Sequence, residues 1–145
     1  MDNAKLRNLG DYAISAAVTN YVITSQPDED GATQPYIETL DGMLAATLQI
    51  NFVPGTGGTS VRVMVETSID QGTTWIEVWR ALFGTTAELN AINLSGLTPR
   101  GSVTPAALAD DAVNDGLFGQ RWRAKVTSVG VYAGNASVSV RLNPR

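Results

Sequence analysis

The strongest pattern along the chain is an alternation of apolar and polar residues that begins at position 60. Valines occupy every second position and other residues stand between them: Val61, Val63 and Val65 against Arg62, Met64 and Glu66. A period of two is typical of a strand with one face on a core and the other face in water. The sequence therefore predicts a strand here, with its valines buried.

The same stretch continues to position 83 through a turn at residues 70–72. After the turn, large apolar residues fall on both faces of the extended chain, at Trp75, Ile76, Val78, Trp79 and Leu82. Because neither face is polar, we predict that this second strand is central in its sheet or is covered on its second side. Residues 60–83 together are predicted to form a hairpin.

Five further segments are predicted to be strands from their β-branched and aromatic content or their alternation. They are residues 12–25, broken near Ala16 and Ala17, and residues 44–53, 87–94, 120–131 and 136–142. The alternation gives the inner positions of three of these segments. They are Leu44, Ala46, Leu48, Ile50 and Phe52 in residues 44–53, Trp122, Ala124 and Val126 in residues 120–131, and Ala136, Val138, Val140 and Leu142 in residues 136–142. Val129 and Val131 are out of phase with Trp122, Ala124 and Val126, which predicts a bulge near residues 128–130. A hairpin-type turn at residues 133–135 leads into the last strand, which is predicted to be an integral part of a sheet.

The connections are marked by glycine, proline and short polar residues. Residues 26–34 are predicted to be a loop, and residues 55–59 a glycine-rich link into the hairpin. Thr104 and Pro105 have the residue types of an N-cap and a first helical position, which predicts a short helix through about Val113. The long excursion over residues 84–119 is expected to be an interaction surface.

These elements predict an all-β chain with about seven or eight antiparallel strands and at most one short helix. The arrangement is that of a β-sandwich or jelly roll. A chain of 145 residues has the length of one domain. We therefore assign residues 12–145 to a single β-sandwich domain with an 84–119 excursion.

Residues 1–11 are polar and are assigned to an N-terminal arm. The arm either lies on a neighbouring subunit or packs on its own domain. In the first case Lys5, Leu6, Arg7 and Leu9 are candidate partner contacts, and a chain that lacks residues 1–11 should fold normally.

The composition removes most catalytic chemistry. The chain contains no cysteine and no histidine, which excludes thiolate nucleophiles, imidazole bases, disulfides and metal sites built from nitrogen or sulfur ligands. Asp28, Asp30 and Gly31 resemble the start of a calcium loop, but the other ligands of such a loop are missing. We expect no cofactor and no metal.

Two carboxylate pairs remain as candidate acid and base groups. They are Glu66 with Glu77, and Asp110 with Asp111. A glycosidase would use such a pair, but no sequence signature surrounds either one. We expect a protein that is not an enzyme.

The charges are few and unevenly distributed. Charged residues make up 17% of the chain, below the roughly 25% typical of soluble domains, and the net charge of −4 argues against binding nucleic acid through its phosphates. Arg121, Arg123 and Lys125 share one strand face and are candidate contacts with a partner of mixed charge. The alternatives are a solvated face, or bases stacking on Trp122, which faces the other way.

A turn motif lies at the tip of the hairpin. Ser68, Asp70, Gly72 and Trp75 have the spacing of the Asp-box, and the chain resembles sialidases and other β proteins in this motif. In that resemblance the box is a structural turn remote from any active site. The serine and aspartate oxygens accept hydrogen bonds from turn amides, the glycine supplies a positive φ, and the tryptophan packs beneath the turn.

A wider resemblance covers residues 44–145. The hairpin TSIDQGTTWIEV, the excursion ending in DGLFGQRWRAKV, the turn VGVYAG and a last alternating strand resemble small β-sandwich structural proteins of tailed bacteriophages. The resemblance implies a virion component without an enzymatic site. Cement or decoration of the capsid is the first expectation, and head–tail joining or a tail role is the second.

The expected partners are the major capsid protein and further copies of this chain, with a trimer as the first expectation, and neither membrane nor nucleic acid. Synthesis in the host cytoplasm and a place on the capsid surface follow from this reading. The alternative from another class is a carbohydrate-binding jelly-roll module. In that case Trp75 and Trp79, on one strand face, would form a sugar platform.

Overall fold

The computed structural model describes residues 6–24, 26–27, 33–38, 40 and 42–145. The strands are β1 (Arg7–Ala13), β2 (Tyr21–Val22), β3 (Gln26–Pro27), β4 (Thr33–Gln34), β5 (Ala45–Val53), β6 (Thr56–Gly57), β7 (Ser60–Ser68), β8 (Ile76–Phe83), β9 (Glu88–Ser95), β10 (Arg121–Val129), β11 (Tyr132–Ala133) and β12 (Ser137–Pro144).

The strands form two four-stranded antiparallel sheets. Sheet A has the order β1-β12-β5-β9, and sheet B has the order β2-β10-β7-β8. The short pairs β6–β11 and β3–β4 lie beside them. The described residues contain no helix, and the predicted all-β sandwich is confirmed.

The core consists of the inward positions of both sheets. The alternation predicted these positions, and the following side chains have zero exposure: Leu48, Ile50, Phe52, Val61, Val63, Val65, Trp122, Ala124, Val126, Val138, Val140 and Leu142. The prediction that the last strand is integral is also confirmed, because β12 lies between β1 and β5.

The hairpin differs from its prediction at one bulge. Val65 pairs with Trp79, whereas the next residue, Glu66, pairs with Glu77, so Val78 is the extra residue. A bulge reverses the phase of a strand. Trp79 therefore packs in the core at 3% exposure, and the side chain of Glu77 lies on the outer face of sheet B beside that of Glu66.

Strand β8 is an edge strand, and the central position offered by the sequence is wrong. The alternative was a second face covered by other residues. Residues 105–108 lie on that face, where Leu108 N donates to Glu77 Oε2 at 2.9 Å. The chain at residues 109–114 runs along the β8 edge, where Asp111 N donates to Arg80 O at 2.7 Å and Asn114 N donates to Val78 O at 2.8 Å. Strand β8 therefore has a partner on both sides.

The predicted helix from Thr104 to Val113 is wrong. Residues 102–109 have no regular secondary structure, and residues 110–111 form a turn with Asp111 at φ 61°. The backbone groups of Ala112 and Asn114 bond to β8 instead of to each other. Tertiary hydrogen bonds of the sheet edge replace those of a marginal helix.

The bulge predicted near residues 128–130 is also absent. The pairing of β10 with β7 continues without a shift to Val129, and Ser128 keeps the inward phase at 3% exposure. Val129 and Val131 lie outside, with 45% and 74% of their surface exposed. Apolar residues on the outer side gave a false signal of a phase change.

The amino-terminal segment belongs to the sandwich from Arg7 onward. Strand β1 pairs with β12 from Arg7 to Ala13, and Leu9 has zero exposure. The assignment of residues 7–11 to an arm is therefore wrong, and the self-packed alternative describes them. Residues 1–5 lie outside the described part.

Candidate functional site

The outer face of sheet B carries a network of ion pairs. Glu66, 4% exposed, lies between two cations: its Oε2 is 2.6 Å from Arg123 Nε, and its Oε1 is 2.6 Å from Lys125 Nζ. Neighbouring strands of the sheet deliver these side chains, because Arg123 pairs directly with Glu66 in the β10–β7 register. The outward phase predicted for the β10 cations is confirmed.

A second acid lies beside the first. Glu77 is the cross-strand neighbour of Glu66 and is 6% exposed. Its Oε1 accepts from Arg80 Nη2 at 2.7 Å, and its Oε2 accepts from the backbone N–H of Leu108 at 2.9 Å. Cations thus neutralise both carboxylates, and the N–H adds a hydrogen bond, which makes the pair part of an internal salt-bridge network.

An open pocket of about 270 Å³ lies over this network. It is lined by Asn20, Glu66, Trp75, Glu77, Arg80, Lys125 and the segment 105–107. Two glutamates, one arginine and one lysine balance in formal charge. The sequence did not predict this pocket, because residues 105–107 were assigned to a helix. They have no regular secondary structure and form one wall of the pocket.

Aromatic rings stack with arginines at the rim of the same face. The guanidinium of Arg123 lies 4.2 Å from the centre of the Trp75 ring, and that of Arg121 lies 4.4 Å from the centre of the Tyr36 ring. The two rings are 6.4 Å apart. Arg121 also pairs with Glu38 at 3.1 Å. Stacking of this kind holds flat side chains in fixed positions.

The sugar platform predicted from Trp75 and Trp79 is wrong. The bulge places Trp79 in the core, whereas Trp75 lines the outer pocket. Residues four positions apart lie on one face of a regular strand. The extra residue, Val78, reverses the phase between Trp75 and Trp79, so their rings lie on opposite faces.

The Asp-box residues form the turn that the motif predicted. Ser68 Oγ donates to Asp70 Oδ1 and accepts from Gly72 N, each at 2.8 Å, and Asp70 Oδ1 accepts from Thr74 N at 2.7 Å. Gly72 has φ 89°. The N–H of Thr74 holds the pKa of Asp70 below its ordinary value. Trp75 is fixed at the end of this turn.

The outer face of sheet A has a different character. Its outward side chains are short and mostly uncharged: Thr47, Gln49, Asn51, Val53, Leu89, Ala91, Asn93, Ser137, Ser139 and Asn143. Arg141 is paired with Asp11 at 2.9 Å. Leu6, 63% exposed, lines a shallow pocket of about 300 Å³ on this face with Thr47 and Gln49. We call this surface the neutral face.

The predicted contact residues are thus separated. Leu6 lies exposed on the neutral face, whereas Arg7 and Leu9 are 6% and 0% exposed and are wrong as contacts. Arg121, Arg123 and Lys125 lie on the opposite side of the sandwich in ion pairs. Lys5 lies outside the described residues. The polar alternation of β5 was the available signal for the neutral face, but alone it indicates only exposure to water.

The remaining predicted sites are the calcium-like turn and the carboxylate pair of Asp110 and Asp111. Asp28, Asp30 and Gly31 lie outside them, and no group of three or more acidic side chains there is placed to hold a metal ion. Asp110 pairs with Arg62 at 2.7 Å, and Asp111 Oδ1 accepts from Leu82 N. Among these residues, no helix has the length and apolar character needed to cross a bilayer.

Comparisons with known proteins give one weak likeness. No protein family and no curated protein match the chain by sequence. A solved structure of a family 29 carbohydrate-binding module from Piromyces equi is similar over 97% of this chain and 82% of that one, with 17% identity and a TM-score of 0.30. A likeness at that level carries no argument about function.

Proposed function

We propose that this chain is a non-enzymatic structural protein of a tailed-bacteriophage virion that binds the capsid lattice as a cement or decoration protein. A role in head–tail joining or in the tail is the nearest variant of the same proposal. The resemblance of residues 44–145 to small virion sandwiches supports the class, and the neutral face of sheet A is the observation that carries the binding role.

The neutral face suits a protein partner for physical reasons. Most of its side chains are short, so fixing them on binding costs little rotamer entropy. Its charged pair, Arg141 with Asp11, is neutralised within the chain, so covering this pair does not bury an unpaired charge. The guanidinium of Arg145 also reaches this face, where it donates to Thr47 Oγ1 at 2.9 Å. Leu6, Val53 and Leu89, which are 63%, 41% and 59% exposed, add apolar area at its margins.

Binding across neighbouring coat subunits would stabilise a capsid without chemistry. A ligand that binds the assembled lattice and not the free subunits shifts the equilibrium toward the lattice by mass action. Many copies on one particle multiply this effect, because each copy adds its own binding free energy.

The test is co-sedimentation of the purified protein with purified capsids that lack it. Asn51→Arg places a new charge in the middle of the neutral face, between Ser139 on β12 and Leu89 on β9. We expect it to weaken capsid binding by about tenfold or more. Val129→Arg, at an exposed position on sheet B, should bind like the wild type. No binding by the wild type, or equal binding by both variants, would refute the proposal.

A second candidate function is carbohydrate binding at the outer pocket of sheet B. The observation that favours it is the combination of one aromatic wall, Trp75, with carboxylate, ammonium and amide groups from Glu66, Lys125 and Asn20. Sugars bind through stacking on an aromatic ring and through hydroxyl hydrogen bonds to such groups. The balanced charge of the pocket suits a neutral sugar.

A glycan array followed by titration calorimetry tests this candidate. Ala106→Trp would fill the pocket from its exposed wall and abolish binding, while Ala109→Trp, exposed on the same segment but outside the pocket, would not. If the wild type binds no glycan on the array, the carbohydrate role is refuted and the capsid role is unaffected.

A further inference from the structure

Three of the four outer sheet edges are protected against pairing with another chain. Strand β2 is only two residues long, and β8 is covered by residues 109–114. Strand β1 is interrupted by a bulge between Asn8 and Gly10 and carries Arg7 and Asp11. Short length, cover, bulges and charges are the devices by which edge strands avoid pairing.

The fourth edge, β9, has none of these devices along most of its length. It is eight residues long, with the sequence ELNAINLS, and pairs with β5 from Glu88 to Ser95 without a register shift. It contains no proline, and its one charged residue, Glu88, stands at its first position. No other strand in the described part of the chain pairs with it.

The open edge has a defined set of backbone groups. Gly96 N donates toward β5, to Leu44 O, whereas Ser95 N points away from β5 and donates to Asp115 Oδ1 at 2.7 Å. By the alternation of an antiparallel ladder, the N–H and C=O groups of Leu89, Ala91 and Asn93 point to the open edge. Asp115 closes the edge at its carboxyl end.

We infer that β9 is the site of self-association, at which β9 of a second copy adds antiparallel to it about a two-fold axis through Ala91. Ala91 then faces Ala91 of the other copy, and Leu89 faces Asn93. All three residues present their edge groups, and each facing pair exchanges two backbone hydrogen bonds. The two four-stranded A sheets become one continuous sheet in a dimer, in place of the trimer first expected.

The charge pattern favours the second copy as the occupant. In the antiparallel arrangement Glu88 faces Leu94, so the two glutamates lie at opposite ends of the contact, about 20 Å apart at 3.4 Å per residue. The only acid of the strand therefore never faces itself. A two-fold contact of this kind also forms a closed dimer, because the two β9 edges pair with each other and neither stays open.

Sedimentation equilibrium over a range of concentrations measures the association. We expect the mass to approach twice the 15.3 kDa of one chain. Ala91→Pro removes an edge N–H without touching the β5 ladder, and Ala91→Lys places two like charges across the axis. Both should sediment as monomers while they keep the β-sheet circular dichroism and cooperative unfolding of the wild type.

Cysteine cross-linking tests the geometry, because the chain contains no cysteine of its own. Ala91→Cys should form a disulfide-linked dimer on oxidation, since facing strand residues lie within the Cα separation that a disulfide spans. Asn51→Cys is the matched control. It is exposed on the same face but lies one strand inward, and should stay unlinked.

Several results would overturn the inference. They are a wild type that stays monomeric at all concentrations, a trimer, and equal cross-linking at positions 51 and 91. Protection of the β9 amides from hydrogen exchange only when capsids are added would also overturn it, because that result would assign β9 to the coat protein. The inference does not rest on the capsid role. A dimer that fails to bind capsids would refute that role and leave the self-association intact.

Discussion

Ser68 closes the turn between β7 and β8 with a single oxygen atom. It is 1% exposed, and its Oγ accepts from Gly72 N while donating to Asp70. Ser68→Ala leaves that N–H without its acceptor, so we expect the free energy of unfolding to fall by about 1–2 kcal/mol. Urea unfolding measures the loss. Thr73→Ala, exposed in the same turn, should change stability by less than about 0.5 kcal/mol; an equal loss in both variants would contradict this role.

Glu66 and Asp110 both pair with arginine, but their surroundings differ. The Glu66 side chain is 6% exposed and serves two cations, whereas those of Asp110 and Arg62 are 37% and 31% exposed. Glu66→Ala leaves Arg123 and Lys125 facing each other, and we expect a loss of about 3 kcal/mol in urea unfolding. Asp110→Ala should change stability far less, because water screens that pair. A larger effect from Asp110→Ala would reverse this ranking.

At the scale of elements, β1 makes the amino terminus part of the fold. Removing residues 1–11 takes away Leu9 and most of the strand that covers the edge of β12. We expect the truncated chain to lose several degrees in melting temperature and to aggregate, because burial of a leucine contributes about 2 kcal/mol and an open edge invites pairing. Leu6→Ala, at an exposed position ahead of β1, is the control and should unfold at the wild-type temperature. Equal melting temperatures, measured by circular dichroism, would show that β1 is dispensable.

Strand β1 also shows the limit of what a local sequence pattern can predict. Leu9 lies in a segment with too few apolar residues to predict a strand, and the pairing with β12 spans the length of the chain. The strands of the hairpin and β10 were predictable because their alternation is local and long. The segment 109–114 was not, because its structure comes from hydrogen bonds to an edge that only the assembled sheet provides.

At the scale of the whole molecule, aspartates that accept backbone hydrogen bonds connect stability to pH. The N–H of Ser95 lowers the pKa of Asp115, and the N–H of Thr74 lowers the pKa of Asp70. Their folded pKa values lie below the unfolded ones. The stabilisation is therefore complete above the unfolded pKa of about 4 and is lost as pH falls through the folded pKa.

Replacing these aspartates should make the free energy of unfolding depend less on pH in the acid range. We expect Asp115→Asn to be less stable than the wild type at neutral pH and to lose less stability on acidification. Urea midpoints between about pH 7 and about pH 2 measure the difference. Asn93→Ser, exposed on β9 and without a titratable group, is the control and should follow the wild-type profile. A wild-type acid slope in the Asp115 variant would contradict the assigned hydrogen bond.

The sequence by itself determined the all-β class, the hairpin with its Asp-box turn, and the inward phase of β5, β7, β10 and β12. Each of these features depends on residues that are neighbours along the chain, because a period of two and a turn motif are local properties of the sequence. Tertiary structure alone decided the bulge that separates Trp75 from Trp79, the non-helical path of residues 104–113, and the contrast between a charged outer face and a neutral one. These features depend on which strands become neighbours, and pairing energies between distant segments, not local preferences, set that choice.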